Sequence, residues 1–118
     1  MVNSRRKGAA AEREFAKAVA DVLGCEARRG QQFSGSPDSP DVVTDIEELH
    51  FEVKRVEALS LYPAMEQAER DAGGKVPLVA HRRNGKPWVV VVRLDDLPRL
   101  VAILAQHGTP MPSEAKQG

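Results

Sequence analysis

The chain has 118 residues, 42% of them hydrophobic and 29% charged, which is enough for one globular core and too little for two. Seventeen Lys/Arg balance 17 Asp/Glu, and Cys25 is the one cysteine, so a simple cationic nucleic-acid coat, an internal disulfide and a cysteine-rich zinc site are all excluded. No apolar run approaches the roughly 18 residues of a membrane span and the basic N-terminus has no secretory h-region, so a reducing cytoplasm is the expected compartment.

The charge is unevenly spread. Residues 1–35 hold seven Lys/Arg against four Asp/Glu, whereas residues 36–60 hold two against seven. An acidic centre beside basic segments suits a site that holds cations and approaches a polyanion, although a solvated surface can cluster charge in the same way.

Asn3 or Ser4 can cap a helix that runs to about Leu23, where Gly24 stops it. Phe15, Val19, Val22 and Leu23 form its apolar stripe. At about 100° per residue Glu12 falls within that stripe while Glu14 points away. An inward carboxylate needs a partner: a cation, the helix dipole, or a salt bridge to Arg5 or Lys54. Residues 25–40 begin as a possible short strand and become a Gly/Ser/Pro loop carrying Arg28, Arg29, Gln31, Gln32, Ser34 and Ser36, all suited to phosphate or sugar contacts.

Asp41-Val42-Val43 opens a strand, an acidic turn follows, and Leu49 to Val56 forms the next strand, most economically as a hairpin. His50, Glu52 and Lys54 alternate with Leu49, Phe51 and Val53, a half-buried pattern with Glu52 and Lys54 on one face about 7 Å apart. Such a face, with Asp41 alongside, suits a divalent-metal site better than a dry structural strand. Asp38 competes for the acidic role, but no strand fixes it.

A second helix is expected from near Pro63 to Gly73-Gly74, packing through Met65, Ala68 and Ala72, with Gln67 and Asp71 on an adjacent edge. Val76 to His81 is a short strand, and Arg82-Arg83-Asn84-Gly85-Lys86 a basic turn. Trp88 to Leu94, with four successive valines, reads as a strand buried on both faces. Asp95 or Asp96 should cap a last helix, Leu97 to His107, whose Leu97, Leu100, Val101 and Leu104 meet the sheet. The domain is expected over residues 1–108, with 109–118 a flexible tail.

Pro40-Asp41 with Glu52-Val53-Lys54, in the order α-β-β-β-α-β-β-α, resembles the PD-(D/E)XK nuclease superfamily. Arg6-Lys7-Gly8 through Glu12-Arg13-Glu14 resembles the N-terminal helix of archaeal-type Holliday junction resolvases. Gln67, Asp71 and the Pro-Trp strand resemble, more loosely, small bacteriophage nucleases. The segment before Asp41 is longer and richer in Gln and Ser than in the archaeal resolvases. The resemblance implies an α/β fold with a restriction-endonuclease-like core, a mixed central sheet flanked by helices. It implies Mg²⁺ or Mn²⁺ held by Asp41, Glu52 and the backbone carbonyl of Val53, with Glu12 completing the shell directly or through water. Lys54 would position the water or stabilise the phosphate. Arg5, Arg6, Lys7, Arg13, Arg28, Arg29, Gln31, Ser36, Arg55 and Gln67 would contact the nucleic acid. The implied activity is cleavage of DNA, branched or four-way junctions above all, and the resemblance to bacteriophage nucleases implies a phage-encoded chain in a bacterial cytoplasm. Nicking, flap or end-processing cleavage, and DNA binding without catalysis, are the alternatives. Two symmetric cuts in a junction imply a homodimer; the sequence does not show which surface pairs, and helices 63–72 and 97–107 are candidates.

Overall fold

Each helix of this chain is placed by which of its faces is apolar, and the strands are placed by the two helical layers that cover them. The computed structural model describes residues 4–30 and 41–110, with side chains from Gly8 onward. Helix α1 (Ser4–Leu23) is followed by strands β1 (Ala27–Arg29), β2 (Val42–Thr44) and β3 (Leu49–Arg55), helix α2 (Leu61–Ala72), strands β4 (Val76–Arg82) and β5 (Val89–Val92), and helix α3 (Leu97–His107). The element order is that read from the sequence. It is an α/β fold with a mixed five-stranded sheet, consistent with a restriction-endonuclease-like core. Asn3, residues 31–40, including Gln31, Ser36 and Asp38, and most of the expected tail lie outside the described residues.

The strands lie in sequence order, β1-β2-β3-β4-β5. All neighbours are antiparallel except β3 and β4, which run parallel from Leu49↔Val76 to Arg55↔Arg82. A parallel pair cannot be closed by a tight turn, and α2 supplies the crossover. β3 and β4 are thereby central, and their apolar residues are among the most deeply buried in the chain.

One face of the sheet packs against α1 and α3. Phe15, Ala16 and Val19 of α1 and Ile103 of α3 meet Val42, Leu49, Phe51, Val76, Leu78 and Ala80. Phe15 meets Phe51 edge-on at 5.3 Å between centroids and Trp88 at 5.0 Å, geometries favoured by the ring quadrupoles. The other face packs against α2 through Ala64, Met65 and Ala68 on Val79. Three alanines on that side of α2 are buried, and such small side chains let the helix backbone approach β3 and β4 closely. Gly24 ends α1 with φ +63°, and a Cβ there would press on the Pro110 ring at 3.1 Å, so both backbone angle and space call for glycine.

Several expectations change. His50 and Glu52 are buried rather than solvent-facing, because α2 covers their side of β3. β5 is not buried on both faces. It is the last strand of the sheet, and Val89 and Val90 remain 49% and 46% exposed. In α3 the buried residue is Ile103, while Leu97 and Val101 are exposed and Leu100 and Leu104 are half-buried: the helix meets the core along a stripe rotated from the expected one. Val22 of α1 also lies outside the core. α2 begins at Leu61, before Pro63, and Asp96 makes no side-chain cap at α3 but pairs with Arg93 at 2.8 Å.

Candidate active site

β3 carries the centre of the site, and the β2 segment is fastened to it from the side. The Asp41 N–H donates to the Phe51 carbonyl (3.2 Å), and Asp41 Oδ2 accepts the Val53 N–H (2.8 Å). Glu52 lies between those two anchor points, so the clamp brings the Asp41 and Glu52 carboxyl groups side by side, joined by a side-chain hydrogen bond. That juxtaposition follows from antiparallel pairing of Val42 with Phe51.

Burial raises the Asp41 pKa most. The Val53 N–H opposes that rise, the negative charges of Glu52 and Glu12 add to it, and the group is pushed up to about 7 from 3.8. Glu52 goes the other way. Burial acts to raise it, but the His50 hydrogen bond and charge, the Asp41 hydrogen bond and Lys54 together outweigh burial, and its pKa is lowered. Below neutral pH the pair therefore holds one proton, chiefly on Asp41, with the negative charge on Glu52, and that proton leaves as pH rises through about 7.

Lys54, two residues on and on the same face as Glu52, donates from Nζ to Gln67 Oε1 of α2 at 3.0 Å. Gln67 thus reaches the site through Lys54. His50, two residues before Glu52, places Nε2 3.1 Å from Glu52 Oε1 and is 2% exposed. Sequence reasoning gave His50 no role. Its signal was the His-X-Glu-X-Lys alternation, in which all three polar side chains share one face.

Glu12 lies close enough for its charge to act on Asp41. Its carboxylate, with 14% of the side chain exposed, is held by Arg29 Nε at 2.6 Å. Its partner is therefore Arg29, whereas Lys54 is engaged by Gln67; the side chains of Arg5, Arg6 and Lys7 lie outside the description. Strand alternation separates the two arginines of β1: Arg29 is in register with Val42 and faces α1, while Arg28, in register with Val43, faces away. Arg13 is exposed. Arg55 lies 3.7 Å from Glu14, which also accepts from Arg82 Nη1 (2.5 Å) and the Trp88 indole N–H (3.0 Å). Glu14, pointing away from Glu12 as the helical geometry requires, is thus the anchor that ties α1 to β4 and the start of β5.

Among the described residues, no three His, Cys, Asp or Glu side chains are gathered closely enough to hold a metal ion. Asp41 and Glu52 supply hard oxygen donors in a half-buried place where two carboxyl groups compete for one proton. That donor chemistry fits Mg²⁺ or Mn²⁺ and not a soft metal. A cation there would replace the shared proton, and the Val53 backbone belongs to the same clamp.

Against known families, a family model described as "Phage putative PDDEXK endonuclease" matches residues 3–116, nearly the whole chain. No curated protein and no solved structure matches. Among the described residues no helix is long and apolar enough to cross a membrane.

Proposed function

Because the chain belongs to that family of phage PD-(D/E)XK endonucleases, we propose that it is a divalent-metal-dependent endonuclease that hydrolyses DNA phosphodiester bonds, with branched and four-way junctions as its preferred substrate. The observation that carries this reading is the Asp41–Glu52 pair clamped across β2 and β3, with Lys54 on the same strand.

In this reading Asp41, Glu52 and the Val53 carbonyl would hold Mg²⁺ or Mn²⁺, and Glu12, now bonded to Arg29, would complete the set directly or through water. When bound, such an ion would lower the pKa of a water and neutralise charge on the scissile phosphate. Lys54, kept in place by Gln67, orients the attacking water or donates to the phosphate oxygen on which charge builds. Arg13, Arg28, Arg29 and Arg55 hold the DNA backbone, together with Arg5, Arg6, Lys7, Gln31 and Ser36. Gln67 acts through Lys54. Cutting two symmetric strands of a junction calls for a twofold dimer with two such sites. The domain spans residues 1–108 and acts inside the cell that the DNA occupies.

The test is a panel of labelled four-way junctions, flaps, nicked and linear duplexes with Mg²⁺, run with wild type, Glu52→Ala and Lys54→Ala. Junction cutting by wild type, lost in both variants, is the expected result. Preferential cutting of flaps or ends reassigns the substrate, and unchanged cutting by the variants removes this site from the mechanism.

A further inference from the structure

β5 ends the sheet, and among the described residues nothing pairs with its outer edge. Its sequence is four valines, with no proline or charge to discourage another strand. An apolar edge of that kind is a template for further pairing, and proteins that stay monomeric usually blunt it. Both sides of the edge carry exposed apolar side chains as well. On the α1/α3 side, Trp88 and Val90 line a groove of about 260 Å³ with Val22, Leu100 and Leu104. On the α2 side, Val91 lies near Tyr62 and Leu94, which are 77% and 80% exposed, with Glu69, Arg93 and Asp95 around them.

We infer that this edge is where a second copy of the chain docks, β5 pairing antiparallel with β5 of the partner to make one continuous ten-stranded sheet. A second copy fits because the surface is self-complementary: a twofold axis perpendicular to the sheet brings equal apolar rows together on both faces. The register follows from side-chain alternation. Residues directly opposite in an antiparallel pair share a face, so the axis must pass through a residue and not between two. An axis at Val90 sets Val90 opposite Val90, Val89 opposite Val91 and Trp88 opposite Val92, all apolar. An axis at Val91 would set Val89 against Arg93, which is already held by Glu69 and Asp96. The Val90 register is therefore the one assigned.

The size is adequate. Val22, Tyr62, Val89, Val90 and Leu94 expose on the order of 550 Å² per copy, against about 800 Å² per partner in a standard interface, and the strand backbone and polar rim supply the rest. This placement rests on the twofold assembly proposed above and adds the surface through which it forms.

The experiment is sedimentation velocity on the full chain across a concentration series, with Val89→Lys, checked for folding by circular dichroism. The half-exposed Val89 side chain can carry a lysine without entering the core, and the variant should raise the dimer dissociation constant at least about 100-fold. In a Cys25→Ser background, Val90→Cys should oxidise to a covalent dimer, whereas Arg28→Cys at the opposite sheet edge should not. A dimer indifferent to Val89→Lys, or cross-linked at Arg28→Cys and not at Val90→Cys, overturns this interface while the twofold enzyme stands. A chain monomeric up to about 1 mM overturns both, and leaves the metal site to be judged by cleavage alone.

Discussion

Lys54 and Gln67 are joined at 3.0 Å across the boundary between β3 and α2. A lysine carries four flexible side-chain bonds, and an ammonium left free would sample many positions. The amide of Gln67 therefore sets where the charge stands, and α2 acts as part of the site without touching the carboxylates. Gln67→Ala should lower single-turnover cleavage about 10- to 100-fold, the range seen when an orienting partner is removed. Gln67→Glu, which keeps an acceptor at the same reach, should lose less. Equal losses in the two variants would show that Gln67 does something other than hold Lys54.

The same geometry makes the packing of α2 a functional matter. Ala68 is fully buried against the sheet, and there is no room for three more carbons. Ala68→Leu should cost roughly 1–3 kcal/mol of stability by overpacking. It should also reduce cleavage more than DNA binding, because it lifts Gln67 away from Lys54. Urea denaturation and fluorescence anisotropy measured on one preparation check both halves.

Asp41 makes stability depend on pH in an unusual direction for a carboxylate. Its folded pKa lies near 7, above the 3.8 of the free group. The folded chain thus keeps a proton that the unfolded chain has released. The stabilisation is complete below about pH 3.8 and is lost as pH rises toward 7. Glu52 is shifted down, so its contribution is present above its ordinary pKa of 4.5 and disappears as pH falls through the folded value. In metal-free buffer, Asp41→Asn should stabilise the protein at pH 8 by roughly 1–3 kcal/mol relative to wild type and change little at pH 4. Mg²⁺ should raise the wild-type Tm more at pH 8 than at pH 5.5, because cation and proton compete for the pair. Thermal melts with and without EDTA measure both effects.

His50 is the buried neighbour that keeps Glu52 ionised. Truncating it leaves a carboxylate 3% exposed without its imidazole donor, and such a loss costs roughly 1–3 kcal/mol. His50→Ala should also weaken Mn²⁺ binding about 10- to 100-fold by calorimetry, with partial recovery in His50→Gln, which retains an N–H donor. Unaltered Mn²⁺ affinity in a folded His50→Ala protein would restrict His50 to packing.

Much of the fold was legible because the local signals agreed: Gly24 ends α1, Gly73 follows α2, and the short apolar runs between turns are strands. Glu12 was separable from Glu14 by helical angle alone, and the structure gives those two residues different surroundings, Arg29 for one and Arg55, Arg82 and Trp88 for the other. The identity of Glu12's partner was not legible, since it depends on β1 lying next to β2 with Arg29 turned toward α1. Four valines could not distinguish a central strand from an edge strand, because composition reports affinity for a sheet and says nothing of position within it. His50 escaped notice for a related reason: alternation marks a shared face, but only the placement of α2 decides whether that face is dry.

Trp88, the one tryptophan in the chain, lies against the Phe15 ring and donates its indole N–H to Glu14. The protein therefore carries its own optical probe at the junction of α1 with the sheet. Its emission will shift to the red when α1 undocks, with no dye or label attached. Since Trp88 stands beside the outermost strand, a blue shift with increasing protein concentration would register the arrival of a second chain at that edge.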